Sequence, residues 1–171
     1  MPARATPALE SINPWLEVIG KSSFMWQQPE CALASVLGSC SFISMILGSG
    51  IDLVEIDRIQ SSLDRFGERF LDRVYTKAEQ AYCLRKHNAA ESLAARFAAK
   101  EAAAKALGTG INHGIAWREI EVQRAPGGRP SLQFHGRAAE YAKRIGVQNA
   151  ALSLTHSRST AMASVVLEDE R

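Results

Sequence analysis

The chain has 171 residues, 46% of them hydrophobic, and its 20 basic and 18 acidic residues leave a formal net charge of +2. That is enough apolar material for one domain with its own core, and too little positive charge for the dense basic face of a nucleic-acid binder. Cys31, Cys40 and Cys83 form no Cys-x-x-Cys pair and read as free thiols of a reducing compartment, while the histidines are scattered without zinc-ligand spacing.

Residues 1–44 differ in character from the rest. They carry Pro2, Pro7, Pro14 and Pro29 with Trp15 and Trp26, and no helical or strand periodicity before Cys31. The apolar run over 31–47 is diluted by serine and glycine, and its second half is needed as a strand, so it is not read as a membrane span. No basic cluster closely precedes it, which argues against a signal peptide. Residues 1–44 are therefore expected to be an atypical, poorly ordered N-terminal extension, with the domain proper over 45–171. Peptides from 1–44 in mass spectra of the native protein would count against an origin of the natural chain near Met45.

The run from Met45 to Val54 is apolar and β-branched enough for a buried strand, yet Asp52 stands in its middle. A carboxylate there is costly unless a cation or donors meet it. Two readings stand at this point: Asp52 caps the helix that starts near Glu55, or it pairs with a second acid across a cleft as a hard oxygen ligand for a divalent cation. Ile56, Ile59, Leu63 and Phe66 follow at helical spacing and stop at Gly67. Thr76-Lys77-Ala78-Glu79 has the pattern of a capping box, opening a helix to about Lys86.

The most telling stretch is the alanine-rich helix from about Ala90 to Leu107, closed by Gly108. Alanine combines high helix propensity with a minimal side chain, so such a helix can lie very close to another backbone or a flat ligand. Glu101 and Lys105 share one face, as do Arg96 and Lys100. A solvated surface helix with an ordinary ion pair is one reading, and a carboxylate–cation cluster facing Asp52 is the other. Beyond it, Trp117–Gln123 alternates as a strand, a turn falls on Ala125-Pro126-Gly127-Gly128, and Pro130–His135 returns. Gly136–Ile145 is an amphipathic helix, and strands over Asn149–His156 and Ala161–Leu167 finish the chain. Helices beside hairpins give an α+β class, with a mainly antiparallel sheet packed by the long helix and shorter ones.

Gly50-Ile51-Asp52-Leu53-Val54-Glu55 with Arg58, followed by Phe97-Ala98-Ala99-Lys100-Glu101-Ala102-Ala103-Ala104-Lys105-Ala106-Leu107-Gly108-Thr109-Gly110, resembles the holo-[acyl-carrier-protein] synthases, the small bacterial type of 4′-phosphopantetheinyl transferase. The resemblance runs from about Met45 to Glu168. It implies that Asp52 and Glu101 bind Mg²⁺, and that the chain moves 4′-phosphopantetheine from coenzyme A to a serine of apo acyl carrier protein, releasing adenosine 3′,5′-bisphosphate. Such a transfer needs alignment and charge neutralisation. Lys105, one turn from Glu101, would touch the pyrophosphate, and Arg96 and Lys100 would hold the 3′-phosphate.

His156 in Ser153-Leu154-Thr155-His156-Ser157 matches a family histidine near bound coenzyme A, giving it a phosphate contact or a proton-handling role beside Glu101. Gly128-Arg129-Pro130 matches a family turn close to the nucleotide, although a plain hairpin turn explains it equally well. Arg58 is the expected centre of a docking face for an acidic carrier protein. By the same resemblance the active site lies between subunits of a cytoplasmic homotrimer. Two other readings remain at this stage: another Mg²⁺-dependent pyrophosphate-cleaving enzyme, and a non-catalytic binding module for coenzyme A or carrier protein.

Overall fold

Gly48 and Gly50 let a strand lie directly on the backbone of a helix, and the fold is organised around that contact. The computed structural model describes residues 45–111, 114–124 and 128–169; the expected extension over 1–44 and the turn at Ala125–Gly127 lie outside the described residues. In chain order the elements are β1 (Ile46–Glu55), α1 (Ile56–Phe66), α2 (Glu68–Val74), α3 (Lys77–Cys83), α4 (Ala89–Ala106), a 3₁₀ turn (Trp117–Glu119), β2 (Ile120–Arg124), β3 (Pro130–Phe134), α5 (Gly136–Ile145), β4 (Asn149–His156) and β5 (Thr160–Glu168). One antiparallel sheet has the order β1-β5-β4, and β2 and β3 form a second, two-stranded antiparallel sheet.

Helix α4 packs against all three strands of the larger sheet. A Cβ on Gly50 would stand 2.0 Å from the Ala102 carbonyl oxygen, and one on Gly48 would stand 2.0 Å from that of Ala106. Only glycine on the strand and alanine on the helix permit so close an approach. The register pairs Gly50 with Val165, Asp52 with Ala163 and Val54 with Ala161. Paired residues point to the same side, and Val165, Ala163 and Ala161 are at most 1% exposed, so this is the side that meets α4. Asp52 therefore faces the helix. The alternate residues face away: Ile51 and Leu53 are 57% and 58% exposed.

Twelve of the eighteen α4 residues are buried, so the helix is central among the described elements and not a solvated surface element. Around it, the Thr76 capping box forms as expected and starts α3, whose helix ends at Cys83, three residues short of the expected end. Asp52 lies mid-strand, and Glu55 occupies the N-cap position of α1, so the capping reading of Asp52 does not hold. Helix α2 goes beyond the sequence reading: Gly67 breaks the chain at φ +53°, and Phe70, Leu71 and Val74 then turn inward. The strand expected from Trp117 begins only at Ile120, because Trp117–Glu119 form a 3₁₀ turn.

Candidate active site

Two groups of polar side chains lie along α4. In the first, Asp52 comes from β1, and Glu101 and Lys105 from α4. Lys105 Nζ donates to Asp52 Oδ1 at 2.8 Å and to the Ile51 carbonyl at 3.1 Å. Its hydrogen bonds thus go to the strand, while its charge also acts on Glu101, four residues back on its own helix. Trp117 Nε1 donates to Glu101 Oε1 at 2.7 Å, which occupies one carboxylate oxygen. Burial raises the Asp52 carboxyl above its ordinary value, opposed by the hydrogen bond and charge of Lys105, then by the charge of Arg58. Burial also raises Glu101, opposed by the Trp117 bond, reinforced by the negative charge of Asp52 and opposed again by the charge of Lys105. The two acids therefore feel one another across the strand–helix contact, in a half-shielded place where each carboxylate gains from a cation. Among the described residues no group of three or more histidine, cysteine or acidic side chains gathers, but two hard oxygen donors suit Mg²⁺, which takes few protein carboxylates and completes its shell with phosphates and water.

The second group surrounds a pocket of about 230 Å³ whose lining includes Tyr82, Arg96, Arg124, Gly128, Pro130 and His156. The Arg96 guanidinium stacks on the Tyr82 ring at 4.3 Å and donates through Nη1 to the Ser92 carbonyl at 3.2 Å. Its Nε is buried and makes no hydrogen bond among the described residues, with the Cys83 thiol alongside the guanidinium. Arg124 holds the turn through Nε to the Gly128 carbonyl at 2.8 Å and also donates to the Tyr82 hydroxyl. The pocket thus presents two ordered guanidiniums and a histidine, a donor set suited to a phosphate.

At about 100° per helical residue, Arg96 lies roughly 140° around α4 from Glu101 and about 7.5 Å along it. The pocket and the two acids occupy different faces of the helix. Across the sheet His156 pairs with Ala161, which pairs with Val54, so about 10 Å of sheet separates His156 from β1.

The glycine-strand and alanine-helix pair and its carboxylates coincide with a match to known proteins. A family profile described as the 4′-phosphopantetheinyl transferase superfamily matches residues 48–163. The chain belongs to that superfamily. It is 58% identical over 125 residues to a holo-[acyl-carrier-protein] synthase of Koribacter versatilis, covering 73% of this chain and 100% of the relative. The crystal structure of holo-[acyl-carrier-protein] synthase from Neisseria meningitidis is similar at 34% identity with a TM-score of 0.68, over 73% of this chain and 100% of that one. The Helicobacter pylori holo-[acyl-carrier-protein] synthase in complex with coenzyme A is similar at 32% identity with a TM-score of 0.63, over 70% of this chain and 98% of that one.

Within this superfamily member, the expected site residues fall into three sets. Asp52, Glu101 and Lys105 come together. Arg96, Gly128, Pro130 and His156 line one pocket, with Arg129 exposed beside it. Lys100 belongs to neither: it is fully buried, pairs with Glu79 at 2.8 Å and donates to the carbonyls of Trp117 and Ile120. The expected phosphate contact for Lys100 is corrected, because its ammonium is committed to the interior. Tyr82, Arg124 and Trp117 join the site without any forewarning in the sequence. Tyr82 is isolated in a helix and Trp117 reads as a strand residue, so spacing carries no sign of either. Among the described residues no helix is long and apolar enough to cross a membrane.

Proposed function

We propose that the chain transfers the 4′-phosphopantetheine group of coenzyme A to a serine hydroxyl of apo acyl carrier protein. The observation that carries this reading is the convergence of Asp52 and Glu101, with Lys105, across the β1–α4 contact. The serine oxygen attacks the phosphorus that bears the pantetheine. Its bond to the bridging oxygen breaks, and adenosine 3′,5′-bisphosphate leaves. Asp52 and Glu101 would hold Mg²⁺, which would supply neutralisation of charge on the pyrophosphate and on the departing phosphate. Lys105 adds a fixed positive charge at the same phosphates. Arg96 and His156, with Gly128, Arg129 and Pro130 shaping the turn, hold the 3′-phosphoadenosine end. The serine proton passes to Glu101.

Arg58, whose charge reaches Asp52, centres the docking face for the acidic carrier protein. The domain is 45–171, it works in the cytoplasm, and it assembles as a homotrimer. Two observations support the assembly: the outer sheet face leaves Ile51 and Leu53 exposed, and the pocket lies on a different face of α4 from the acids, so one protomer's pocket can complete another's acidic site. The experiment is an intact-mass assay with coenzyme A, Mg²⁺ and apo carrier protein. Carrier protein gaining the phosphopantetheine mass supports transfer; free hydrolysis products, or no product, overturn it. Glu101→Gln should abolish the gain while leaving the folded protein intact.

A further inference from the structure

Glu101 is usable as a ligand only if its carboxylate is aimed, and its own helix does not aim it. A glutamate on a helix has several open rotamers, and its i+4 partner Lys105 is engaged with Asp52 instead. What fixes Glu101 is Trp117, which reaches it from the 3₁₀ turn before β2 with Nε1 at 2.7 Å from Oε1. The indole is itself held on several sides. It is 5% exposed, packs in a tilted arrangement on Phe97 at 6.1 Å, and carries the Arg73 guanidinium 6.0 Å from its ring centre. The turn that bears it is tied down in turn: the Trp117 carbonyl accepts from buried Lys100 at 3.0 Å, and Ala116 N–H donates to Glu119 Oε2 at 2.8 Å. Lys100 is thereby given a task at one remove from the acids.

We infer that Trp117 is a positioning residue, holding Glu101 by its Oε1 so that Oε2 is presented to the cation shared with Asp52. The inference rests on the reading that Asp52 and Glu101 bind a divalent cation. A donor of this kind orients the ligand and removes the entropy of ordering it on binding, and losing such a partner typically weakens metal affinity about 10–100-fold. The indole N–H donates to only one oxygen, so the other keeps its lone pairs for the ion.

The test is a Mn²⁺ titration of the full chain followed by the electron paramagnetic resonance signal of free Mn²⁺, for wild type, Glu101→Gln and Trp117→Phe. Trp117→Phe keeps an aromatic ring against Phe97 and deletes the donor. In case it packs poorly, Trp117 is also replaced by benzothienylalanine, which keeps the indole shape and puts sulfur in place of N–H. Expected is a Mn²⁺ affinity lowered ~10-fold or more in both Trp117 forms, with metal-free melting temperature unchanged in the benzothienylalanine form. Wild-type affinity in the benzothienylalanine form overturns the inference while leaving the carboxylate site standing. Absence of Mn²⁺ binding in wild type, or binding undiminished in Glu101→Gln, overturns the carboxylate site and the role of Trp117 together.

Discussion

Gly50→Ala is the smallest change that separates β1 from α4. The added methyl carbon would stand 2.0 Å from the Ala102 carbonyl oxygen, 2.8 Å from Ala106 N and 3.0 Å from the Ala102 carbonyl carbon. An ordinary contact lies near ~3.5 Å, so strand and helix must part by about 1–1.5 Å. All three obstructing atoms are backbone, and none can swing aside as a flexible side chain would. Overpacking of this kind costs ~1–3 kcal/mol, partly offset by the ~0.4–1 kcal/mol gained from a stiffer unfolded chain. Asp52 lies two residues on, facing the same helix, and moves with the strand. A displacement of about 1 Å in a site that works by alignment costs on the order of 100-fold in rate. Expected, then, is a melting temperature lowered by several degrees, read by circular dichroism, and a far larger loss of carrier-protein modification read by intact mass. Gly67→Ala is the control: Gly67 has φ +53° and a methyl carbon added there would meet nothing within 4 Å, so backbone strain of ~1–3 kcal/mol should lower stability without a matching loss of rate. Gly50→Ala with wild-type stability and wild-type rate would mean that the close strand–helix approach does not hold the site.

Two further outcomes test the division of labour along α4. Arg96→Ala should raise KM for coenzyme A by ~10-fold or more and change KM for dephospho-coenzyme A little, since the group it is meant to hold is missing there; equal effects on both substrates in steady-state kinetics would remove Arg96 from the 3′-phosphate. Lys100→Met should destabilise by ~3–5 kcal/mol, because the Glu79 carboxylate is left buried without its cation, and denaturant unfolding measures this directly. Lys100→Met protein that stays folded should keep a wild-type KM for coenzyme A, and a selective rise would return Lys100 to the substrate.

The elements easiest to read in the sequence are those whose pattern is local. The Thr76 capping box, the amphipathic period of α5 and the bounds of β4 stand where spacing puts them. Asp52 stands out for a different reason, as an acid inside an apolar strand that conflicts with its surroundings, whereas Glu101 stands out through the helix face it shares with Lys105 and through the family resemblance of its helix. Lys100 misleads because helical spacing places it one turn from Arg96 without saying which way either side chain is turned. Its direction is set by Glu79, 21 positions earlier in the chain, and by the carbonyls of Trp117 and Ile120. Trp117 and Tyr82 gain their roles only through contacts from other elements, Glu101 on α4 and Arg124 on β2. Helix α2 escapes a sequence reading because a break at Gly67 looks like an end, when it is a kink between two short helices.

The proposed transfer would require Asp52 and Glu101 to hold one divalent ion, which would neutralise charge on the coenzyme A diphosphate. A crystal grown with coenzyme A and Mn²⁺ examines this through the anomalous signal of the metal. Expected is a single peak within about 2.0–2.3 Å of an oxygen from each carboxylate and of the pyrophosphate, with Glu101 reaching it through Oε2. A peak bound elsewhere, or coenzyme A in place with no metal between these two acids, would rule the mechanism out.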